Sequence, residues 1–306
     1  MRTFPTEFVE RYSQFIPDFD AFLDAMQRPL KRTFRVNTLK ATRERVLDLL
    51  ADLRPEPLPW FELGFSLDEG EGLGKRMEHF IGLIYVQEAA SMAPPLVLGP
   101  QPGERVLDLA AAPGSKTTEM SAMMENTGLI IANDPSPTRV RGLLGNVERA
   151  GCLNVTVCRM DGPSLGRTVA GTCDRVLVDA PCSSEGTIRK SPQALAHWSV
   201  AAIERFPSIQ KRLVLAGYLA LKPGGQMGYS TCTVAPEENE AVVAHLLARQ
   251  PEAEVCDAQL PGLAMRPGLR EWEHEQFPEA VGRCRRILPQ DNDTEPFFVA
   301  LIRKPA

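Results

Sequence analysis

Two stretches of this 306-residue sequence place a thiol where the chain changes direction: "DAPCSSEGTIRKSP", from Asp179 to Pro192, and "STCTVAPEENE", from Ser230 to Glu240. In each, a run that reads as a strand stops and a cysteine follows, Cys182 or Cys232. If the strands ending at Asp179 and Thr231 are neighbours, both thiols sit on one edge of one sheet, since adjacent strands lie about 4.8 Å apart. The sequence Pro236-Glu237-Glu238 predicts a helix starting near Pro236, whose N-terminal dipole would favour thiolate over thiol at Cys232. Glu237 and Glu238 then read as capping and positioning groups of its first turn. The competing reading of any cysteine is a small buried hydrophobe, and it is the reading taken for Cys152, Cys158, Cys173, Cys256 and Cys284.

The elements that would carry these thiols are regular from about residue 104. "RVLDLA", "GLIIAND", "NVTVCRM", "DRVLVDAP" and "GQMGYST" are short apolar runs ending in small or polar residues, as buried parallel strands do. Helical segments separate them, the clearest over 137–150, with Ser136 as N-cap, Pro137 first, Val140, Leu143, Leu144 and Val147 inward and Gly151 at the stop. This alternation predicts an α/β, doubly wound, Rossmann-like sheet, with "RCRRILP" and "PFFVALIRK" pairing as a closing hairpin. Before it, Phe8, Tyr12, Phe15, Phe19, Phe22 and Leu23 recur at near-helical spacing with Pro17 as a breaker; "TFRVNTL" reads as a strand, 43–53 as a helix, and Pro55 to Gly74 as short strands and turns. The organisation expected is a small α/β module over 1–100 and a catalytic domain over 101–306.

Ligands of such a sheet collect beyond the C-terminal ends of its strands. There the first strand gives way to Ala110, Ala111, Ala112, Pro113, Gly114, Ser115 and Lys116, small residues that admit a ligand to the backbone before a helix begins. Asp134 ends the next strand and suits two ribose hydroxyls; Asp161 and Asp179 complete a rim of carboxylates. Such aspartates also serve as turn and cap residues. A P-loop is the rival, but Walker A needs G-x-x-x-x-G-K-[ST], and Ala110 and Ser115 stand where its glycines belong; G-x-G-x-x-G is absent. The group left is S-adenosylmethionine. A sulfonium methyl donor beside a thiolate points to C5 of cytosine: thiolate addition at C6, with N3 protonated by Asp179, makes C5 enamine-like and able to take the methyl group. Spacing leaves open which cysteine attacks.

Composition predicts a globular, cytoplasmic protein, and a monomer is expected. Hydrophobic residues make up 43%, enough for a substantial core, and neither the N-terminal stretch nor any later run is apolar enough to cross a membrane. Seven cysteines without C-x-x-C, and four histidines, support neither a disulfide framework nor a metal site. A net charge of −5 excludes nonspecific coating of nucleic acid but leaves room for a local basic groove.

"DAPCSSEGTIRKSP", "YSTCTVAPEENE", "DLAAAPGSKT", "RVNTLK" and "YVQEAASM", in one order over about 30 to 303, resemble the Fmu/Sun, or RsmB/RsmF-type, family of RNA cytosine-C5 methyltransferases. The resemblance implies Cys232, in the T-C motif, as nucleophile and Cys182 as the cysteine that assists release, the reverse of the DNA cytosine methyltransferases. It implies that Ala110 to Lys116, Asp134, Asp161 and Asp179, with Arg139, line the cofactor site. Ser115 and Glu295-Pro296 stand where the family usually has glycines. The expected partner is RNA, rRNA or a ribosomal subunit before tRNA; a nucleotide hydrolase and a silent RNA-binding protein are the rivals. Longer relatives carry a further RNA-binding domain, so target choice is expected in the N-terminal module. Phosphate contacts are expected from Arg189 and Lys190 beside the pocket, from Arg35 and Lys40 among the N-terminal basic residues, and from Arg283, Arg285 and Arg286. A cytosine reaching Cys232 must leave its stack, which favours an unpaired target.

Overall fold

A computed structural model describes residues 3–68, 72–191 and 193–306. Pro192, the last residue of the Cys182 stretch, and part of the Pro55–Gly74 region lie outside them.

The N-terminal module is a four-stranded antiparallel sheet of β1 (Arg32–Val36), β2 (Glu56–Leu58), β3 (Phe61–Leu67) and β4 (Ile84–Val86), in the order β2-β3-β1-β4. Its core is Phe34, Val36, Phe65 and Leu67 packed on Val46 and Leu50 from the helix Arg43–Leu49 and its end. The aromatic run ahead of it breaks at Pro17 into the helices Thr6–Tyr12 and Phe19–Gln27. These do not join that core. Phe8, Tyr12, Ile16, Phe22 and Met26 pack instead against Ile188, Leu195, Val234 and Leu288 of the C-terminal part.

The main sheet has five parallel strands, β5 (Arg105–Asp108), β6 (Leu129–Asn133), β7 (Val155–Cys158), β8 (Cys173–Asp179) and β9 (Leu221–Thr231), side by side in the order β7-β6-β5-β8-β9. The chain then adds β10 (Glu254–Cys256), β11 (Arg266–Pro267), a separate hairpin of β12 (Glu271–Trp272) and β13 (Glu275–Gln276), β14 (Arg285–Ile287) and β15 (Phe297–Arg303). Antiparallel β15 closes the sheet against β9, with β14 on its other side, the hairpin that the sequence predicts.

Helices cover both faces. Leu213, Val214, Val242 and Leu246 pack on Val176, Val178, Met227 and Tyr229 on one side, while Leu98 and Met120 pack on Val106, Ile130 and Leu177 on the other. The helix Pro207–Ala220 lies so close that a Cβ at Gly217 would stand 2.7 Å from Met227 Sδ. The helix Pro137–Ala150 starts and stops as expected, on the Ser136 cap and at left-handed Gly151, and buries Leu143 and Val147; Leu144, expected inward, is 42% exposed.

The candidate active site

β8 and β9 pair Asp179 with Ser230, so the loops leaving them run side by side. Cys182 and Cys232, fifty residues apart in sequence, bring their Sγ atoms to 3.2 Å. Backbone and side-chain bonds lace the loops together: Gly186 N donates to Cys232 O at 2.7 Å, and Ser183 Oγ to Thr233 Oγ1 at 3.0 Å. The helix expected at Pro236 begins only at Glu240; residues 236–239 form turns. The dipole is therefore too far from Cys232 to stabilise a thiolate, an influence confined to the first turn. Its thiol is instead pushed well above the usual value, first by its hydrogen bond with Cys182, then by burial and by the charges of Asp179 and Glu295. Glu237 and Glu238 do not cap that helix either. Glu237 accepts from Trp272 Nε1 and from Arg11 of the first helix, and buried Glu238 accepts from Ser183 N at 3.0 Å and Gln210 Nε2 at 2.8 Å. Burial lifts Glu238 to about 7.

Asp179 is held at both oxygens. Ser230 Oγ donates to Oδ1 at 2.7 Å and Lys116 Nζ to Oδ2 at 2.7 Å, while Lys116 also donates to Ser91 Oγ at 3.0 Å and lies over the Phe297 ring. Burial would lower the Lys116 ammonium, but Asp179 and the nearby Cys232 and Asp108 outweigh it and keep it charged. Lysine turned inward to a carboxylate is not the phosphate ligand of a P-loop. Asp108, the last residue of β5, was hidden in the apolar run "RVLDLA". It accepts from Thr117 Oγ1 at 2.7 Å, its Oδ1 has no partner among the described residues, and burial raises it to about 7.

On the other side of β5 is the small-residue loop. Ala111 N donates to Asn133 O at 2.7 Å, tying the loop to β6, and Gly114 N turns back to Ala111 O at 2.7 Å. Gly114 has φ 105° and a Cβ there would meet Leu143 Cδ1 at 2.9 Å, so glycine alone fits the turn into the helix Ser115–Met123. Asp134 is fully buried at the end of β6. Its Oδ1 accepts from Ser136 N at 2.9 Å; Arg139 Nη1 stands 3.0 Å from Oδ2 as an ion pair, out of line for a hydrogen bond, which leaves that oxygen a free acceptor. Arg139 also donates to Ala112 O at 2.5 Å, so it clamps the loop to Asp134. A buried carboxylate oxygen with an unused lone pair, beside a loop of small residues, fits the ribose of S-adenosylmethionine. Asp161 caps the helix Gly162–Thr168 through Ser164 N at 3.0 Å and Ser164 Oγ at 2.7 Å, which lowers its carboxyl, and its side chain is half exposed.

The basic residues divide sharply. Arg35, expected to meet phosphate, is 2% exposed: Nε donates to Gln87 Oε1 at 2.9 Å and Nη2 to Ser115 O at 3.0 Å and Thr118 Oγ1 at 2.6 Å. It braces the N-terminal module against the end of the small-residue loop and the helix that follows it. Arg189 is likewise buried, donating to Arg28 O, Pro29 O, Thr294 O and Asp293 Oδ1. Arg285 and Arg286 are buried too, the latter bonded to Glu240 and Val234 O, and Arg283 donates to Val255 O. Burial of a guanidinium demands such partners, and a sequence does not display them. Lys40 is exposed but donates to Ile81 O at 2.9 Å. Lys190 and Arg32 are exposed without a side-chain partner among the described residues, and with Lys31, Glu88 and Gln87 they line a cleft of about 270 Å³ between the module and the C-terminal part.

The profile of 16S rRNA methyltransferase RsmB/F matches residues 95–303, and that of the N-terminal domain of 16S rRNA methyltransferase RsmF matches residues 4–89. The chain is 46% identical over 97% of its length, and 95% of the relative's, to the tRNA (cytosine(49)-C(5))-methyltransferase of Pyrococcus abyssi. It is 41% identical over 99% of its length to the ribosomal RNA small subunit methyltransferase F of Enterobacter sp. (strain 638), of which it spans 64%. A solved methyltransferase homologue from Pyrococcus horikoshii superposes with a TM-score of 0.86 at 35% identity, covering 98% of this chain and 95% of that one. With two profiles matched in order and the paired cysteines in place, the chain belongs to the RsmB/F family of S-adenosylmethionine-dependent RNA cytosine-C5 methyltransferases.

Proposed function

We propose that this protein methylates C5 of a cytosine in rRNA, through a covalent bond between Cys232 Sγ and C6 of the base. The observation that carries the reading is the 3.2 Å approach of Cys182 to Cys232 beside an Asp179 that Lys116 holds by a hydrogen bond. As Sγ bonds to C6, Cys232 loses the proton that its raised pKa keeps in the resting site, and N3 gains one. Asp179 is the group to take the proton from Cys232 and hand one to N3, while charged Lys116 holds its carboxyl in place. When bound, S-adenosylmethionine supplies an electrophilic methyl group, which the enamine-like C5 left by the addition takes. Asp134, Arg139 and the Ala110–Lys116 loop would hold it, with Asp161 at the outer edge. In release a base takes the C5 proton, its bonding pair restores the C5–C6 double bond, Sγ leaves with the Sγ–C6 pair and recovers the proton from N3 through Asp179, and Cys182 is the neighbour placed to assist.

Lys190 and Arg32 are the groups we assign to the RNA backbone, with the N-terminal module as the RNA-binding part and a monomer as the working unit. Phosphate contacts of this kind position a strand without reading it. A tRNA target is the second reading, favoured by the identity and mutual coverage with the Pyrococcus abyssi enzyme. Methyl transfer from labelled S-adenosylmethionine to separated rRNA, tRNA and small-subunit pools, followed by nucleoside analysis, tests both. Label in 5-methylcytidine from rRNA or subunits supports the first, label from tRNA the second, and none from any pool removes the enzymatic reading. Among the described residues no helix is long and apolar enough to cross a membrane.

A further inference from the structure

One buried carboxylate holds the two cysteine loops, and the chemistry above does not use it. Glu185 is 2% exposed, and four donors from three segments converge on its two oxygens. Trp198 Nε1, at 2.5 Å, and the Tyr12 hydroxyl donate to Oε1; Thr233 Oγ1, at 2.5 Å, and Val234 N, at 3.1 Å, donate to Oε2. Glu185 lies three residues after Cys182, and Thr233 and Val234 follow Cys232 directly. The next residue, Gly186, donates its N–H to Cys232 O, and a Cβ there would stand 2.7 Å from that oxygen, so a side chain at 186 would push the loops apart. A carboxylate accepts at all four lone-pair positions, and here all four are filled.

We propose that Glu185 is a positioning residue for release of the methylated base: it fixes the separation of Cys182 and Cys232, with the first helix supplying one donor through Tyr12. This rests on the reading that Cys182 acts at release. Glutamine at 185 would keep the volume but turn an NH₂ toward two donors, so it breaks the clamp without opening a cavity. Misplacement of reacting groups by about 1 Å costs about a hundredfold in rate.

Two readouts separate this role from general support. In the first, Glu185→Gln is incubated with labelled RNA and S-adenosylmethionine, and the denaturation-resistant protein–RNA adduct is compared with that of Cys182→Ala. In the second, made without RNA, the thiol oxidant diamide, itself reduced to the hydrazine, closes a Cys182–Cys232 disulfide whose appearance is followed by peptide mapping. The expected result is adduct approaching the Cys182→Ala level while cofactor affinity is kept, with disulfide closure slowed about tenfold or more. Thr233→Val should behave like Glu185→Gln, and Thr233→Ser, which keeps the donor, like the parent. Parental adduct and closure rate in Glu185→Gln would overturn the proposal. If that variant fails to fold, the Thr233 pair decides, and identical behaviour of its two members overturns it. Absence of adduct in Cys182→Ala would remove Cys182 from release, overturning the proposed role, while the closure rate would still report whether Glu185 sets the spacing.

Discussion

The two halves of the site are built on opposite plans. Beyond β5 and β6, the side we propose for the cofactor keeps acceptors in reserve: Asp134 Oδ2 and Asp108 Oδ1 are buried without hydrogen-bond donors among the described residues. Beyond β8 and β9, the carboxylates that join the two cysteine loops are bonded at both oxygens or across loops: Glu185 has four donors, Asp179 is held at both oxygens, and Glu238 ties the Cys182 loop to Gln210, while Gln210 Oε1 and Glu237 Oε2 stay unpaired among the described residues. An unpaired buried acceptor costs free energy that a ligand recovers on binding, whereas a satisfied network fixes geometry before any ligand arrives. The first half is made to be completed, the second to stay still.

The sharpest way to break this contrast is Cys232→Ala. It should abolish methyl transfer, a loss of at least about ten-thousandfold for an essential nucleophile, while calorimetric affinity for S-adenosylmethionine stays unchanged. Loss of both would mean that the halves are not separable. Asp134→Ala addresses the other half: it should weaken S-adenosylmethionine by about ten- to a hundredfold, the worth of hydrogen bonds to a charged acceptor, and leave disulfide closure between the cysteines at the parental rate. Unchanged affinity would contradict the ribose role.

Acid–base behaviour sharpens the comparison further. Burial raises Asp108, Glu119 and Glu238 to about 7 and Glu295 to about 8. In the unfolded chain these carboxyls titrate near about 4, so between about 4 and 8 the folded state binds more protons, and stability falls as pH rises through that window. The thermal midpoint should therefore drop from pH 6 to pH 8, and Glu238→Gln should flatten the drop. A midpoint that rises over this range would refute the assignment. The smallest effect is expected from Lys190→Ala, which should lower the slope of log affinity for RNA against log salt by about 1. An unchanged slope would take the strand elsewhere.

What the sequence discloses and what it hides follow the same division. Strand ends, the glycine turn at Gly114 and the two cysteines are legible because each is encoded by adjacent residues and a fixed periodicity. Arg35 and Arg189 misled because a lone arginine carries no mark of burial; their partners, Gln87, Ser115, Thr118, Thr294 and Asp293, come from distant segments. Asp108 vanished inside an apolar strand. Pro236-Glu237-Glu238 has the composition of a helix start, yet the two glutamates serve Arg11, Trp272 and Ser183 instead, and the helix waits until Glu240. Pairings between distant segments leave no local trace.

The first helix bears on how the molecule comes into being. Tyr12 and Arg11 bond Glu185 and Glu237, residues made long after them, and β9 gains its second neighbour only when β15 has been synthesised. Early in translation the aromatic side chains of 8–26 have no surface to cover them, and the cysteine loops have no frame. The catalytic half thus matures last, as contacts of long sequence separation close around it, a route that is slow and exposes apolar surface on the way. A nascent chain stalled before β15 would carry both thiols but leave the β9 edge beside Cys232 unpaired.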